Sequence, residues 1–419
     1  MDQEKKVENS RRAGGEPIYK RKGVAFLINR ASQSFRNRLF ISVLTSKGHS
    51  IRLLLREWTE ENSGSVTRSS EQNIDVFTVK CKTEKGRPGE FSKLLNEALI
   101  RIENDFKKDK QSAVLGTICI NHISHLWFFR FYKRKRLKFI YDATEQSLPQ
   151  WNFKVKLLSD LALSFTSMVE LKLLKKIRVD AVTISGSRAD ELPRFSNICK
   201  NSQVLLTLPS MSQSPTAEET AAAEKELKGK TIAAAIGGFS NPASLEQALD
   251  VAASVVSCYE NVIFLFIGKT YASRDTLKSM ISAKDLEGRV FFLNGLPFKK
   301  MMAYLENSYV GLALHDTDDI WSEGTADNSM RHYVYMQAGL PIVGPEICEG
   351  AEAARKAECC LFVNTTSPVD VSGAVAYLLT HPDEARQRGE RGRDAFREKY
   401  NWECERQKLV ALLDAASVR

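Results

Sequence analysis

One basic side chain in the C-terminal half has surroundings that favour anion chemistry. Arg331 follows the polar stretch 327–330 and opens a predicted helix over 331–338. Asn328 or Ser329 can serve as the N-cap of that helix. A cation in the first turn of a helix is unfavourable to the helix dipole unless an anion is bound there as well. The pattern therefore predicts that Arg331 makes charge-assisted hydrogen bonds to a diphosphate.

A pair of glycines could approach the same anion. Gly237 and Gly238 directly follow a predicted strand over 231–236. Glycines let the backbone come close to a ligand, and helix N-termini nearby offer N–H groups to a phosphate. A tight turn without a ligand would have the same sequence, so that alternative stays open. Lys269, after the next predicted strand, is the nearest further cation.

Two carboxylates in the N-terminal half could act on a hydroxyl nucleophile. Asp142 and Glu145 stand at the end of a predicted strand over 137–141. A carboxylate there could serve as the general base of an inverting transfer reaction. The alternative is that the two residues cap the helix that follows. None of the six His residues lies at metal-ligand spacing from a Cys, so neither a metal nor a cofactor is predicted.

The elements that must position these residues follow one rhythm. Short apolar runs of strand type alternate with helical patterns, pause in a polar stretch near 209–230, and then resume. This alternation predicts an α/β fold with two Rossmann-like, doubly wound domains facing a cleft. Ligands in such sheets bind beyond the carboxyl ends of the strands. The predicted bounds are a disordered tail over 1–22, an N-terminal domain over 23–210, a linker over 211–230, a C-terminal domain over 231–395, and a helix over 396–419 that returns toward the N-terminal domain.

Composition excludes several classes of protein. The chain has 419 residues, of which 43% are hydrophobic, so an intrinsically disordered chain is excluded. No window is long and apolar enough to cross a membrane, and no cleaved secretion signal is recognisable at the N-terminus. The eight cysteines form no CxxC pair, which favours a reduced compartment. We therefore expect a cytoplasmic protein.

The charge is distributed unevenly along the chain. Residues 1–200 hold 38 Lys and Arg against 22 Asp and Glu, whereas residues 201–419 are mildly acidic. The densest basic cluster, 133–138, directly follows an aromatic run over 127–132. Aromatic and basic side chains together suit an anionic membrane surface, and the alternative is a helix with a buried aromatic face. No motif of a specific nucleic-acid binder accompanies the charge. Peripheral binding to the inner face of a membrane is therefore predicted.

Several motifs resemble those of one enzyme family. The run 335–343, YMQAGLPIV, resembles the segment EYMAAGLPVV of GT-B glycosyltransferases, especially the large retaining group. Segments 262–268, 288–295 and 401–403 resemble further motifs of that family in the same order, and YDATE at 141–145 resembles its YDAHE. The likeness extends over about 23–415. It implies an N-terminal acceptor domain and a C-terminal nucleotide-sugar domain.

The resemblance also implies roles for particular residues. Arg331 matches the family's helix Lys or Arg, and Gly237 with Gly238 matches its phosphate-side glycine loop. The donor would be a UDP- or GDP-linked sugar, and the acceptor a glycan or a lipid-linked saccharide. The predicted donor-binding residues are Gly237, Gly238, Lys269, Asn328, Ser329 and Arg331.

This sequence departs from the family at one important place. The retaining group usually carries two glutamates eight positions apart, and here Ala326 and Val334 stand in their places. Three interpretations follow: a retaining enzyme with a modified donor pocket, an inverting enzyme similar to bacterial glucuronosyltransferases, or an inactive GT-B scaffold that binds partners. A panel of nucleotide sugars would distinguish the enzymes from the scaffold.

Overall fold

In the computed structural model, the chain forms two compact units. One unit holds residues 1–183 with 194–202, and the other holds 184–193 with 203–419. The described residues are 22–29, 35–46, 50–58, 65–71, 74–81, 88–108, 114–120, 126, 129, 138–143, 156–227, 230–237, 239, 242–268, 270, 272–314, 326–346, 348 and 350–417.

The first unit is built on an eight-stranded sheet with the strand order β3-β4-β2-β1-β5-β6-β7-β8. Strand β1 lies between β2 and β5 and is parallel to both, as buried strands in alternating βα units require. Its elements are β1 (Lys22–Asn29), α1 (Phe35–Ser46), β2 (Ser50–Trp58), β3 (Ser65–Glu71), β4 (Ile74–Cys81), α2 (Pro88–Lys108), β5 (Val114–Ile120), β6 (Lys138–Ala143), α3 (Lys156–Ile177), β7 (Ala181–Ile184), α4 (Leu192–Ser196) and β8 (Ser202–Val204).

The second unit is built on a six-stranded parallel sheet with the order β11-β10-β9-β12-β13-β14. Its elements are α5 (Ala217–Leu227), β9 (Thr231–Ile236), α6 (Pro242–Val256), β10 (Val262–Ile267), α7 (Arg274–Ser282), β11 (Val290–Leu293), α8 (Phe298–Glu306), β12 (Val310–Leu312), α9 (Ala326–Ala338), β13 (Ile342–Gly344), α10 (Ala351–Lys356), β14 (Cys360–Phe362), α11 (Pro368–Thr380), α12 (Pro382–Glu398) and α13 (Trp402–Ser417).

The core of the second unit lies on both faces of its sheet. Along β9, Ala234 and Ile236 belong to one buried cluster, whereas Ala233 and Ala235 belong to the other. This alternation follows from the two-residue period of a strand, and it needs apolar side chains at every position. The predicted α/β class with doubly wound parallel sheets is confirmed.

Several predicted boundaries differ from the structure. The apolar run 204–208 predicts a strand, whereas strand β8 covers Ser202–Val204. The helix α5 lies where the polar stretch 209–230 predicts a linker leading into a helix. Strand β3 was not predicted. It is a polar antiparallel strand at the sheet edge, with Val66 buried but Thr67 and Ser69 exposed. An edge strand of this kind lacks the apolar run that marks a buried strand.

The last helix of the second unit is fastened to the segment that follows β8. The Glu403 carboxylate accepts hydrogen bonds from the Ser210 hydroxyl and from the backbone N–H of Met211, at 2.5 and 3.1 Å. The Glu405 carboxylate accepts one from the N–H of Leu206 at 2.7 Å. These carboxylates satisfy two backbone N–H groups that no strand pairs, and one serine hydroxyl. Along the described residues, no helix is long and apolar enough to cross a membrane.

Candidate functional site

The strand order of the second sheet places a ligand crevice between β9 and β12. From β9 the chain proceeds outward to β10 and β11, and it then returns to the other side of β9 to form β12, β13 and β14. Connections diverge at such a switch point, so the carboxyl ends of the two central strands border an open crevice. Gly237 directly follows β9, and Leu314 lies two residues beyond β12.

The turn after β9 is built from glycine because of a close backbone approach. Gly237 has φ +141° and Gly268, after β10, has φ +152°. A Cβ on Gly268 would overlap the carbonyl oxygen of Gly237. The N–H of Gly237 donates to the carbonyl of Ile267 at 3.0 Å. Both positions therefore require glycine. Of the two, only Gly237 is among the predicted donor-binding residues.

Arg331 reaches this turn from α9. Its side chain is buried, with 9% exposed, and Nη1 donates to the carbonyl oxygen of Leu314. A Cβ on Gly237 would lie 2.6 Å from the guanidinium carbon of Arg331. The structure thus brings Gly237 and Arg331 together, as the sequence analysis expected. A guanidinium against a glycine turn at a strand end is an arrangement suited to a phosphate.

The helix that carries Arg331 starts earlier than predicted. Helix α9 begins at Ala326, so Asn328 and Ser329 lie inside its first turn and neither is the N-cap. Arg331 consequently belongs to the second turn, where the helix dipole opposes a cation less. The predicted N-cap roles are wrong, and the support for a bound anion is the contact with Gly237 instead.

Tyr335 connects the same helix to both central strands, and sequence analysis gave it no role. It is fully buried. Its hydroxyl accepts a hydrogen bond from the N–H of Ile236 and donates one to the carbonyl of Leu312, both at 2.8 Å. Burial raises the pKa of Tyr335, so the hydroxyl stays protonated. The available signal was its position four residues after Arg331, on the same helix face.

His332 is a packing residue next to the site. It is fully buried against Gly344 and Gly350, and its Nδ1 lies 3.5 Å from the Cys348 sulfur. Burial and, to a lesser extent, the positive charge of Arg331 together lower the pKa of His332 to about 4. The imidazole is therefore neutral at pH 7, and its burial leaves it no access to a phosphate. Val334, where the retaining group carries a glutamate, is buried as well.

Asp142 lies in the first unit, within strand β6, and is engaged in a buried ion pair. It is 2% exposed. The Arg36 guanidinium donates to both of its carboxylate oxygens at 2.8–3.1 Å, and the Thr183 hydroxyl donates to one of them at 2.6 Å. Both oxygens of this carboxylate are therefore occupied by Arg36 and Thr183, which makes Asp142 part of a structural ion pair. Its position inside β6 also excludes the alternative role as a helix cap.

Several predicted features lie outside the described residues. These are Gly238, Lys269, Glu145 and the basic residues 133–136. For Asn328 and Ser329 the backbone alone is described. Within the described part of the chain, no cluster of three or more His, Cys, Asp or Glu side chains could hold a metal ion.

Comparison with known proteins identifies the second unit. Residues 217–395 match the family model of the glycosyl transferases group 1. This stretch, which is less than half of the chain, resembles that family. It contains the strand ends, the Gly237 turn and the Arg331 helix described above. The chain therefore carries a glycosyltransferase domain, as the resemblance implied. No significant match to the chain was found among curated protein sequences.

Solved structures show that the fold extends over both units. Sucrose-phosphate synthase from Thermosynechococcus elongatus is similar with a TM-score of 0.66 and 15% identity, over 94% of this chain and 98% of that one. Anabaena HepE in complex with UDP and glucose gives 0.65 and 12%, over 93% and 99%. WaaG, a glycosyltransferase involved in lipopolysaccharide biosynthesis, gives 0.57 and 13%, over 94% and 99%. The predicted GT-B fold is confirmed.

Proposed function

We propose that the chain transfers a sugar from a UDP- or GDP-linked donor, and that the donor diphosphate binds between the Gly237 turn and Arg331. The observation that carries this proposal is the buried Arg331 guanidinium lying against Gly237 at the carboxyl ends of the central strands. The matched family and the UDP bound to HepE support this donor class.

In this site, Arg331 would act on the diphosphate, which is the leaving group of the reaction. When the bond between the sugar and the diphosphate breaks, negative charge develops on the diphosphate. The Arg331 guanidinium would stabilise that charge through charge-assisted hydrogen bonds, and it is already held in place by the Leu314 carbonyl. Because the guanidinium is already in place, it does not have to move when the charge develops.

For the acceptor, we propose a glycan or a lipid-linked saccharide presented at an anionic membrane. The basic character of residues 1–200 supports this proposal. The first unit also exposes apolar and basic side chains on one helix, α3, where Phe165 is 63% and Met168 is 42% exposed. A cytoplasmic, membrane-peripheral location would follow from it.

A general base is needed if the reaction inverts the anomeric configuration. Of the two carboxylates that the sequence suggested, Asp142 is committed to Arg36 and Thr183. Glu145 therefore becomes the proposed base, supported by its place two residues after the end of β6. In a retaining reaction no such base would be required from the first unit.

An inactive scaffold is the second candidate function. The observation that favours it is the replacement of both family glutamates, with Val334 buried among apolar side chains. A scaffold would bind a nucleotide or a partner without turnover. Release of UDP or GDP from a panel of nucleotide sugars, with and without glycan acceptors, distinguishes the two candidates.

The donor site is tested by Arg331→Ala and Arg331→Lys. We expect calorimetry to show at least tenfold weaker binding of UDP or GDP for Arg331→Ala, because charge-assisted hydrogen bonds to the diphosphate are removed. Arg331→Lys should retain part of the affinity, since it keeps the charge but not the planar fork. Arg355→Ala is the matched control, because Arg355 on α10 is exposed in the same unit.

Circular dichroism melts would confirm that each variant is folded. Unchanged diphosphate affinity in a folded Arg331→Ala variant would remove Arg331 from the site. Absence of any nucleotide binding by the unaltered chain would overturn the donor proposal itself.

A further inference from the structure

Tyr335 and Arg331 stand one turn apart on α9 and touch the same two strands. Residues four positions apart lie on one face of a helix. On that face, Arg331 contacts Gly237 beyond β9 and bonds to the Leu314 carbonyl beyond β12. Tyr335 bonds to Ile236 in β9 and to Leu312 in β12. Helix α9 therefore contacts the ends of both β9 and β12 twice, once through Arg331 and once through Tyr335.

The Tyr335 ring has a fixed seat in the sheet. A Cβ on Gly311 would lie 2.5 Å from the ring carbon Cγ of Tyr335, so the ring rests directly on the backbone of β12. Only a residue without a side chain leaves room for it there. The seat determines how deep α9 lies against the sheet, and thereby how far the tyrosine hydroxyl projects between the strands.

The hydroxyl acts where the pairing of the two strands ends. The last paired residues of β9 and β12 are Ala235 and Leu312. Directly beyond this pair, the hydroxyl joins the N–H of Ile236 to the carbonyl of Leu312. Gly237 directly follows Ile236, the last residue of β9. Leu314, whose carbonyl accepts a hydrogen bond from Arg331, lies two residues beyond Leu312. The hydroxyl bridge is thus the last fixed point before the crevice opens.

We propose that Tyr335 is a positioning residue for the donor diphosphate, whose hydroxyl sets the spacing of the ends of β9 and β12 and so seats Gly237 against Arg331. This inference rests on the proposed donor site. Tyr335 does not touch the diphosphate, and it acts through the two groups that do.

The physical consequence of losing the hydroxyl is local. In Tyr335→Phe the ring still fills its seat on Gly311, so no cavity is created in the core. The Ile236 N–H and the Leu312 carbonyl lose a shared partner, and buried groups in this situation move to find another. Movement of either group shifts Gly237 or Leu314, and with it one side of the diphosphate site.

The test compares two tyrosine hydroxyls in the same unit. Tyr304 on α8 is also buried, and its hydroxyl donates to the Glu226 carboxylate instead of a strand end. Tyr304→Phe therefore removes a partly buried hydroxyl bond without touching the crevice. We expect similar losses of melting temperature in the two variants. We expect at least fivefold weaker binding of UDP or GDP, whichever the unaltered chain binds, only in Tyr335→Phe.

A second measurement does not depend on nucleotide binding. Native-state hydrogen exchange should be faster at the amides of Ile236 and Gly237 in Tyr335→Phe, and unchanged there in Tyr304→Phe. A generic loss of stability would not alter affinity measured well below the melting temperature, so the pair of readouts separates positioning from packing.

Each outcome decides the inference. Weaker binding with faster exchange in Tyr335→Phe alone would support it. Equal nucleotide affinity in the two folded variants would overturn it and leave the donor site standing. If the unaltered chain bound neither UDP nor GDP, the donor proposal would fail and this inference with it.

Discussion

At the scale of single residues, Asp142 shows how burial changes the meaning of a carboxylate. Its sequence position after an apolar strand favoured a general base, but its bidentate pair with Arg36 makes it a structural anchor. We predict that Asp142→Asn lowers the free energy of unfolding of the first unit by about 3 kcal/mol, because Arg36 would remain buried without a counter-charge. Urea denaturation followed by fluorescence measures this loss.

Glu145→Gln is the companion variant for Asp142→Asn. If Glu145 is the base, transfer activity should fall in Glu145→Gln while its stability stays close to that of the unaltered chain. An Asp142→Asn variant with unchanged stability and abolished transfer would return the base role to Asp142.

The sequence was sufficient to bring Gly237 and Arg331 to one site, but not to find Tyr335 or Gly268. The first two belong to residue types that bind anions at helix and strand ends, so type and position were enough. The roles of Tyr335 and Gly268 depend on contacts through space with Leu312 and with the Gly237 carbonyl. In a single sequence such contacts leave at most the four-residue spacing of Arg331 and Tyr335, which does not by itself indicate a role.

At the scale of elements, the turns after β9 and β10 form one packed pair. We predict that Gly268→Ala destabilises the second unit by about 3 kcal/mol or more and abolishes nucleotide binding, because the new methyl group would overlap the Gly237 carbonyl. Thermal denaturation and calorimetry with UDP and GDP measure the two effects.

Gly295→Ala is the matched control for this turn. Gly295 also has a positive φ, of +70°, but a Cβ there would meet no atom within 4 Å. The control should cost only about 1 kcal/mol for the left-handed backbone and leave nucleotide binding intact. Equal effects of the two substitutions would mean that backbone strain, and not the contact with Gly237, explains the glycine.

Elements with a clear period were predictable, whereas those with mixed character were not. Strands β9 and β10 are continuous apolar runs, since both faces of their sheet are covered. The sequence predicts the start of α9 at 331, five residues after its observed start at Ala326. The residues at 326–330 are mostly polar and lack the apolar period of a helix, so they resemble a loop. Strand β3 could not be predicted from the sequence because its exposed face is polar.

At the scale of the whole molecule, the proposed contact with an anionic membrane can be tested on the exposed face of α3. Phe165, Met168, Lys172 and Lys175 follow one another at helical spacing, and all four are exposed. We predict that Lys172→Glu with Lys175→Glu reduces sedimentation with vesicles of anionic phospholipid at least tenfold. Each basic residue at such a surface contributes about 1 kcal/mol.

The control for α3 is a charge-matched double variant in the other unit. Lys299 and Lys300 on α8 are both exposed, so Lys299→Glu with Lys300→Glu makes the same change in net charge elsewhere. Equal loss in both double variants would indicate a general charge effect and no docking face. Persistent sedimentation of the α3 variant would exclude this helix as the contact.

The attachment of α13 has a consequence for anyone who expresses the second unit alone. The family match spans 217–395, but Leu206 and Met211 depend on Glu405 and Glu403 as acceptors for their amides. A fragment cut at the family boundaries would omit both sides of this clasp. A longer fragment that keeps one side of this clasp therefore has to keep the other as well, beginning near β8 and retaining α13.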